Sequence, residues 1–351
     1  MVSIESYISR CVSEGAFPGA AWAVGGKEKI LEQGFRGVLG GNLGPVGPDT
    51  IYDIASLTKI FVTLGLMRQF EEGLFRLEDT LGFFLPYFSG NPKGDITIRE
   101  LLTHTSALHD LPRLYRLAPN REELLEAISL SPLRRDSGTR VEYTCEGFIL
   151  LGEIMAAIDG APLDTIIRER VLWPLGMRDT CYRPPPSLLE RIAPTEDSKS
   201  RGLIRGEVHD GKAWAMGGVS GNAGLFSTAA DLAKLASRVL AKGWEADGWG
   251  EGGAFLRPAT IRMTVKNYSP GMGANRGLGW LLAGKGGPGG DLMTEGSFGH
   301  TGFTGTSIWI DPEQGLYGVL LSNRIHPDRN NGKIFRCRQI FHNLMILNYG
   351  K

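Results

Sequence analysis

The chain lacks an excess of charge of either sign, a basic block and any long hydrophobic run. Its 351 residues carry 38 Lys+Arg against 38 Asp+Glu, so the formal net charge is zero. A nucleic-acid-binding protein would show a basic footprint, and none is present. No stretch of about 18 apolar residues occurs, and the N-terminus does not resemble a secretion signal. We therefore expect a soluble, cytoplasmic protein without a membrane partner, with a removed leader left open.

Closely spaced cysteines are also missing. The four in the chain are far apart and form no C-x-x-C pair: Cys11, Cys145, Cys181 and Cys337. Neither a zinc ribbon nor a redox motif is therefore predicted, and we interpret the cysteines as reduced thiols. His104, His109 and Asp110 do not have the H-E-x-x-H spacing of a zinc site. We expect no metal and no cofactor.

Glycine, by contrast, is abundant and unevenly distributed. Of the 49 glycines, 25 fall in residues 201–305 and only 5 in residues 101–200. Because glycine destabilises a helix interior by about 1 kcal/mol, the glycine-poor segment is predicted to be mostly helical. The glycine-rich segment is expected to supply loops and close backbone approaches around a cleft. Residues 244–253 and 284–290 are loops by composition.

Apolar periodicity predicts strands near both ends of the chain and helices between them. The predicted strands flank the turn Gly25-Gly26 and occupy residues 307–310 and 317–321. The predicted helices cover residues 3–13, 147–157, 163–171, 232–240 and 333–347. This order favours an α+β fold, in which one antiparallel sheet is completed by distant parts of the sequence beside a helical second domain.

The first candidate for chemistry is Ser56-Leu57-Thr58-Lys59. Residues three apart share a helix face, so the Lys59 amine can reach the Ser56 hydroxyl. The following residues are apolar nearly all round, which is typical of a buried central helix. At the mouth of such a helix, the dipole and the free N–H groups favour an activated hydroxyl. The alternative is that Ser56 only caps the helix.

Two further elements follow in order, Tyr143-Thr144-Cys145 and His300-Thr301-Gly302. Together with Ser56-x-x-Lys59, they resemble the signature motifs of the serine β-lactamase and penicillin-binding protein superfamily. The class C-like branch is the most similar, with its D-alanyl-D-alanine carboxypeptidase-like proteins and β-lactamase-type esterases. The resemblance covers roughly residues 15–345.

The resemblance implies a β-lactamase/transpeptidase-like fold. Its sheet is antiparallel, of the five-stranded type and flanked by helices, and a mainly helical domain is inserted. We expect residues 1–75 and 205–351 to form the discontinuous α/β domain and residues 76–204 the helical one. The active site is expected between the two domains.

The resemblance also implies roles for individual residues. Ser56 would be the acylated nucleophile. Lys59 would share in removal of its proton, either as a neutral amine or through a shared hydrogen bond in a site where the ammonium form is disfavoured, or it would supply the positive charge that a Tyr143 base requires near pH 7. Tyr143 would be the partner base and later the proton donor to the leaving group. The N–H groups of Ser56 and Phe303 would form the oxyanion hole, and Gly302 would leave room for substrate. Taken alone, Tyr143 could be a core aromatic and residues 300–303 a strand-entry turn.

Two positions depart from the family pattern. The usual lysine of the third motif is His300 here, and the usual asparagine of the second motif is Cys145. Histidine is mostly neutral at pH 7 and a thiol is a weak hydrogen-bond donor, so anionic β-lactams would be held poorly unless Arg324 supplies a charge. Thr301 is a further substrate-binding candidate. If His300 binds a carboxylate as a cation, activity on anionic substrates should rise below about pH 6.5.

The sequence therefore predicts a serine hydrolase that forms an acyl-enzyme on small carboxylic esters or D-amino-acid peptides. A β-lactamase acting on antibiotics is the alternative within this class. A non-catalytic penicillin-recognition protein is the alternative from another class. The expected partner is a small-molecule substrate, and the oligomeric state stays open.

Overall fold

The computed structural model describes residues 2–242, 255–284 and 286–351. Its strands, in chain order, are β1 (Gly19–Gly25), β2 (Ile30–Gly37), β3 (Tyr52–Asp53), β4 (Cys181–Tyr182), β5 (Asp197–Ser198), β6 (Gly202–Leu203), β7 (Leu225–Ser227), β8 (Leu281–Leu282), β9 (Phe298–Thr301), β10 (Ser307–Asp311) and β11 (Leu316–Ser322). Its helices are α1 (Ile4–Ser13), α2 (Thr58–Glu71), α3 (Leu81–Phe84), α4 (Ile98–Leu102), α5 (Arg121–Leu130), α6 (Glu146–Asp159), α7 (Leu163–Ile167), α8 (Gly211–Ala215), α9 (Ala229–Lys242), α10 (Pro258–Thr264) and α11 (Ile334–Tyr349).

The main sheet is antiparallel and joins the two ends of the chain. Its strand order is β2-β1-β11-β10-β9-β8, so the first strand pairs with the last one, with Trp22 opposite Leu320. The predicted α+β fold and the terminal hairpins are confirmed. The sheet has six strands rather than five because the two-residue β8 adds to the edge formed by β9.

The two faces of this sheet pack against different helices, because side chains alternate along each strand. On one face, Trp22, Val24 and Leu320 pack in a cluster with side chains of α1 and α11. On the other face, Ala23 and Val319 join the larger core that contains α2, α6 and α9. The larger core continues from the sheet into the helical region, and the domain boundaries stay a prediction.

α2 is the central helix of the larger core. Most of its side chains are buried, on all sides of the helix, as the apolar run after Ser56 predicts. The predicted helices at residues 147–157 and 163–171 are α6 and α7, α7 ending in a π-helical turn at Arg168–Leu172. The loop predicted at 244–253 lies outside the described residues, as does residue 285 of the loop at 284–290.

None of the helices within the described ranges combines the length and the apolar character that crossing a bilayer requires. The cytoplasmic location stays a prediction. Cys11, Cys145, Cys181 and Cys337 are free thiols in this structure.

Candidate active site

A strained turn presents Ser56 at the start of α2. Ala55, the residue before it, has φ 47°, a conformation that is unfavourable for a residue with a Cβ atom. The buried Asp53 carboxylate holds this turn by accepting hydrogen bonds from the N–H of Ala55 and the N–H of His209, each at 2.8 Å. The strain is thus offset by fixed hydrogen bonds, and Ser56 projects from a rigid turn.

The three residues predicted to carry the chemistry meet at Ser56 Oγ. Lys59 Nζ lies 3.1 Å from Ser56 Oγ, and the Tyr143 hydroxyl lies 2.7 Å from the same atom. Lys59 also donates to the carbonyl of Asn222 at 2.8 Å. Lys59 is fully buried, whereas Tyr143 is 40% exposed. The arrangement can therefore activate a hydroxyl whose outer side is open to a substrate.

The charge state of Lys59 follows from its surroundings. Burial lowers its pKa, but the nearby Tyr143, Cys145 and Asp210 raise it, and the net pKa is above the ordinary value. The ammonium form is therefore favoured over the neutral amine, and it would supply the positive charge that a Tyr143 base requires.

The third motif lies at the end of β9 and is joined to the nucleophile turn. Thr304 donates its hydroxyl to the carbonyl of Asp53 at 2.7 Å, and Thr306 donates to the carbonyl of Ile54 at 3.1 Å. The reason for Gly302 differs from the prediction: a Cβ atom there would lie 2.6 Å from the Ile54 carbonyl oxygen and 2.1 Å from the Thr306 hydroxyl. Contacts within the protein therefore already require glycine at position 302, and the room that Gly302 leaves for a substrate stays a prediction.

The predicted oxyanion-hole donors are available. Within the described residues, neither the Ser56 N–H nor the Phe303 N–H donates a hydrogen bond to another protein group. The carbonyl of Gly302 accepts a hydrogen bond from the buried Arg338 of α11. In a trans peptide the C=O and the following N–H point in opposite directions, so Arg338 fixes the direction of the Phe303 N–H.

Two buried histidines and an arginine surround Tyr143. The ring centroid of Tyr143 lies 4.6 Å from that of His104 and 6.2 Å from that of His300, and the Arg276 guanidinium carbon lies 5.5 Å from it. Burial, together with Arg276 and Lys59, lowers the pKa of His300 to about 3. His300 is therefore neutral from pH 5 to 8, which argues against the predicted cationic role.

Cys145 lies at the mouth of α6 and lines the cavity in front of Ser56. Burial raises the pKa of its thiol, so Cys145 is neutral at pH 7. The adjacent Glu146 is buried and pairs with Lys212 at 2.6 Å, and Lys212 also contacts Asp110 at 2.6 Å. The Glu146–Lys212 ion pair thus connects the residue that follows the second motif with α8. No cluster of three or more metal-ligating His, Cys, Asp or Glu side chains occurs in the described part of the chain.

Arg324 does not line the cavity. Its guanidinium donates to the carbonyl of Phe303 at 2.9 Å and to the carbonyls of Arg329 and Asn331, and it stacks on the Phe303 ring at 4.5 Å. The predicted charge contact between Arg324 and a substrate therefore has no support in this geometry, because Nε and Nη1 donate within the protein and the side chain is not among those that line the cavity. Arg329 lines the cavity instead.

The cavity in front of Ser56 has a volume of about 1010 Å³. Tyr143, Cys145 and the half-exposed Phe303 form its floor with Ser56. Its walls carry charged groups of both signs: Arg113, Arg116, Lys199, Arg201, Lys212 and Arg329, and Asp110, Glu196, Asp197, Asp210 and Asp328. A polar, charged ligand can be paired on these walls, whereas a long apolar chain would desolvate them.

Four supporting residues were missed by the sequence analysis: Asp53, Asn222, Arg276 and Arg338. Asn222 lies in a segment, GNAG at 221–224, that resembles the family. The other three have no local spacing pattern that relates them to Ser56, because they reach the site from β3, the turn before β8 and α11.

Comparison with known proteins shows the family and the fold of the chain. The β-lactamase family model matches residues 4–336. The chain belongs to the β-lactamase family. It is 34% identical, over 340 residues, to an Escherichia coli (strain K12) protein provisionally named D-alanyl-D-alanine carboxypeptidase, covering 86% of this chain and 75% of that protein.

Solved structures show that this β-lactamase-family protein has the expected fold. EstCE1, a hydrolase with promiscuous acyltransferase activity, superposes with a TM-score of 0.79 at 20% identity, over 97% of each chain. The octameric penicillin-binding protein homologue from Pyrococcus abyssi superposes with a TM-score of 0.78 at 22% identity, over 99% of this chain and 77% of that one.

Proposed function

We propose that this β-lactamase-family hydrolase forms an acyl-enzyme at Ser56 and transfers the acyl group to water. We propose D-amino-acid peptides as its main substrates, with small carboxylic esters accepted by the same site. The observation that carries the proposal is the position of Ser56 Oγ between Lys59 Nζ, at 3.1 Å, and the Tyr143 hydroxyl, at 2.7 Å.

In acylation, Ser56 Oγ attacks the substrate carbonyl carbon and its proton passes to the Tyr143 oxygen. The reactive form pairs a Tyr143 phenolate with the Lys59 ammonium, whose raised pKa keeps it charged. The negative charge that develops on the carbonyl oxygen is held by the N–H groups of Ser56 and Phe303. The Tyr143 phenol then returns the proton to the departing amine or alcohol as the carbonyl bond to it breaks.

Deacylation reverses these roles with water as the nucleophile. The Tyr143 phenolate takes a proton from water, and the oxygen attacks the acyl carbonyl carbon. The same two N–H groups hold the second oxyanion, and the phenol proton returns to Ser56 Oγ as the acid leaves. No metal or cofactor takes part in either half of this scheme.

The cavity walls favour a peptide over a lipid-like ester. Charged groups of both signs line about 1010 Å³ of space in front of Ser56. A peptide with a free carboxylate and polar backbone can pair with such groups. Arg329 is one half-exposed cation on these walls, although it also faces Glu196 at 3.7 Å. The name of the Escherichia coli relative supports the same substrate class.

A β-lactamase activity is the second candidate, and two observations weigh against it. Cys145 occupies the place of an amide donor, and its thiol is neutral and a weak donor. His300 is neutral and cannot replace a lysine cation. A non-catalytic recognition protein would not require Ser56 Oγ to contact both Lys59 and Tyr143.

The test is a substrate panel on one preparation of the purified full-length chain: p-nitrophenyl acetate, an N-acylated D-Ala-D-Ala peptide and nitrocefin. We expect turnover of the peptide and the ester, little turnover of nitrocefin, and loss of all activity in Ser56→Ala. Ser200→Ala is the matched control, because Ser200 lines the same cavity without contacting Lys59. Nitrocefin turnover faster than that of the peptide would overturn the assignment, and turnover by Ser56→Ala equal to that of the wild type would overturn the mechanism.

A further inference from the structure

Two thiols meet on the face of the main sheet that is opposite the candidate active site. Cys11 of α1 and Cys337 of α11 have their sulfur atoms 3.2 Å apart, although 326 positions separate them in the sequence. Both side chains are buried, with exposed fractions of 3% and 6%. The first and the last helix of the chain are thus brought together at this pair.

The environment of the pair is apolar apart from one hydroxyl. Ile4, Ile8 and Phe341 belong to the same core cluster as the two cysteines. The Tyr7 side chain belongs to the same cluster, and its hydroxyl lowers the pKa of both thiols. The other two cysteines lie elsewhere, Cys145 at the start of α6 and Cys181 in β4. Neither cysteine contacts Ser56, which precedes Leu57 and α2 of the core on the other face of the sheet.

We propose that Cys11 and Cys337 are an oxidation site and form a disulfide that links α1 to α11. A disulfide needs a sulfur–sulfur distance of about 2.05 Å, so the two sulfur atoms must approach by roughly 1 Å. Rotation of the two cysteine side chains can supply part of this shift. The sulfur–sulfur distance of 3.2 Å therefore distinguishes this pair from cysteines that lie in the same core without contact between their sulfur atoms.

The oxidant is a hydroperoxide. The Cys11 thiolate attacks one peroxide oxygen and the O–O bond breaks, giving a sulfenic acid and, with hydrogen peroxide, one water. The sulfur of Cys337 then attacks the sulfur of Cys11, loses its proton and expels hydroxide, which leaves as a second water. Two thiols are oxidised and one peroxide is reduced, so atoms and electrons balance.

We expect Cys11 to attack first, because the Cys337 thiol donates a hydrogen bond to the Cys11 sulfur. The hydrogen bond from the Cys337 thiol lowers the pKa of Cys11, against the effect of burial, and the Tyr7 hydroxyl and Arg10 lower it further, while Glu14 raises it. The pKa of Cys337 is raised by the same hydrogen bond and by burial. The thiolate is the reactive form in peroxide chemistry, so Cys337 acts as the resolving thiol.

Oxidation is expected to stabilise the fold. A cross-link that closes almost the whole chain removes much of the conformational freedom of the unfolded state. We expect Tm to rise by about 5 °C in the oxidised protein. Neither sulfur lines the cavity in front of Ser56, but Cys337 precedes Arg338, which donates to the Gly302 carbonyl, so ester hydrolysis is measured alongside Tm.

The experiment treats the full chain with hydrogen peroxide, alkylates the remaining thiols under denaturing conditions and maps the peptides without reduction. We expect two alkylated cysteines instead of four, and a peptide pair linked through Cys11 and Cys337 that a phosphine reductant separates. Removing the other two cysteines, in Cys145→Ser/Cys181→Ser, should leave this link unchanged.

The peptide map decides the outcome without any variant. Four alkylated cysteines after treatment, a link through Cys145 or Cys181, or Cys11 oxidised to sulfinic acid with no link would each overturn the proposal. In Cys337→Ala the resolving thiol is absent, and we expect Cys11 to be trapped as sulfenic acid by dimedone. Because hydrolysis is measured on the same samples, failure of this proposal is distinct from failure of the proposed hydrolase function.

Discussion

Replacing Arg338 with methionine should weaken the oxyanion hole without removing any group that touches the substrate. Arg338 is a positioning residue: its guanidinium holds the carbonyl of Gly302, and the same peptide carries the Phe303 N–H. Loss of one oxyanion-hole donor commonly costs about 10²–10³ in kcat. The Gly305 N–H still contacts the Gly302 carbonyl at 3.2 Å, so we expect a partial loss, about 10- to 100-fold.

The assay separates this role from a merely structural one. For p-nitrophenyl acetate, kcat should fall while KM changes little, because the oxyanion forms only in the transition state. A boronic acid, which mimics the tetrahedral adduct, should bind more weakly by the same factor as the loss in kcat/KM. Arg338→Lys keeps a cation and should recover part of the activity.

Folding is checked by Tm in each variant. Methionine has a similar length and removes a buried cation, so Tm should stay close to that of the wild type. An unchanged kcat in a folded Arg338→Met would refute the reasoning. Equal losses of kcat in the methionine and lysine variants, with unchanged boronate affinity, would refute it as well.

Three further predictions concern the groups around Ser56. Tyr143→Phe should lower kcat by about 10²–10⁴-fold with Tm nearly unchanged, because it removes only the hydroxyl that transfers the proton. A kinetic assay and a thermal melt check this, and a fall in kcat of less than tenfold would contradict it. Because the pKa of His300 is lowered to about 3, its ring stays neutral between pH 5 and 8. The ratio of kcat/KM for anionic substrates to kcat/KM for neutral ones should therefore not change with pH in this range. A rise of this ratio below pH 6.5 would support the cationic role instead. Arg276→Gln should lower kcat for p-nitrophenyl acetate, because the Arg276 guanidinium carbon lies 5.5 Å from the Tyr143 ring centroid and its positive charge favours negative charge on the Tyr143 oxygen, alongside Lys59. Arg276→Lys should restore part of the rate, and an unchanged kcat in a folded glutamine variant would exclude the role.

The sequence predicted the parts of the fold whose signals are local. Apolar alternation identified β10 and β11, and helical periodicity identified α6 and α11, because burial of one face imposes these periods. The sixth strand was not predicted, because β8 has only two residues, which is too few to show an alternation of apolar and polar side chains. The sheet order depends on contacts between distant segments, and here the predicted pairing of the chain ends is confirmed by the pairing of β1 with β11.

The site divides in the same way. Ser56, Lys59 and Tyr143 could be named because their motifs have recognisable spacing and order. Three properties of the site could not be predicted, because each depends on burial and on groups from other elements. They are the charge of Lys59, the neutrality of His300 and the hydrogen bond that Arg324 donates to the Phe303 carbonyl. Arg338 could not be predicted for the same reason: it reaches the site through a contact between α11 and Gly302, the residue that follows β9.

The central claim is that Ser56 carries the acyl group. The direct measurement is mass spectrometry of the full chain after incubation with a fluorophosphonate, followed by mapping of the modified peptide, in the wild type, Ser200→Ala and Ser56→Ala. We predict one adduct on Ser56 in the first two proteins and none in the third. No adduct on the wild type, or an equal adduct on Ser56→Ala, would contradict the account.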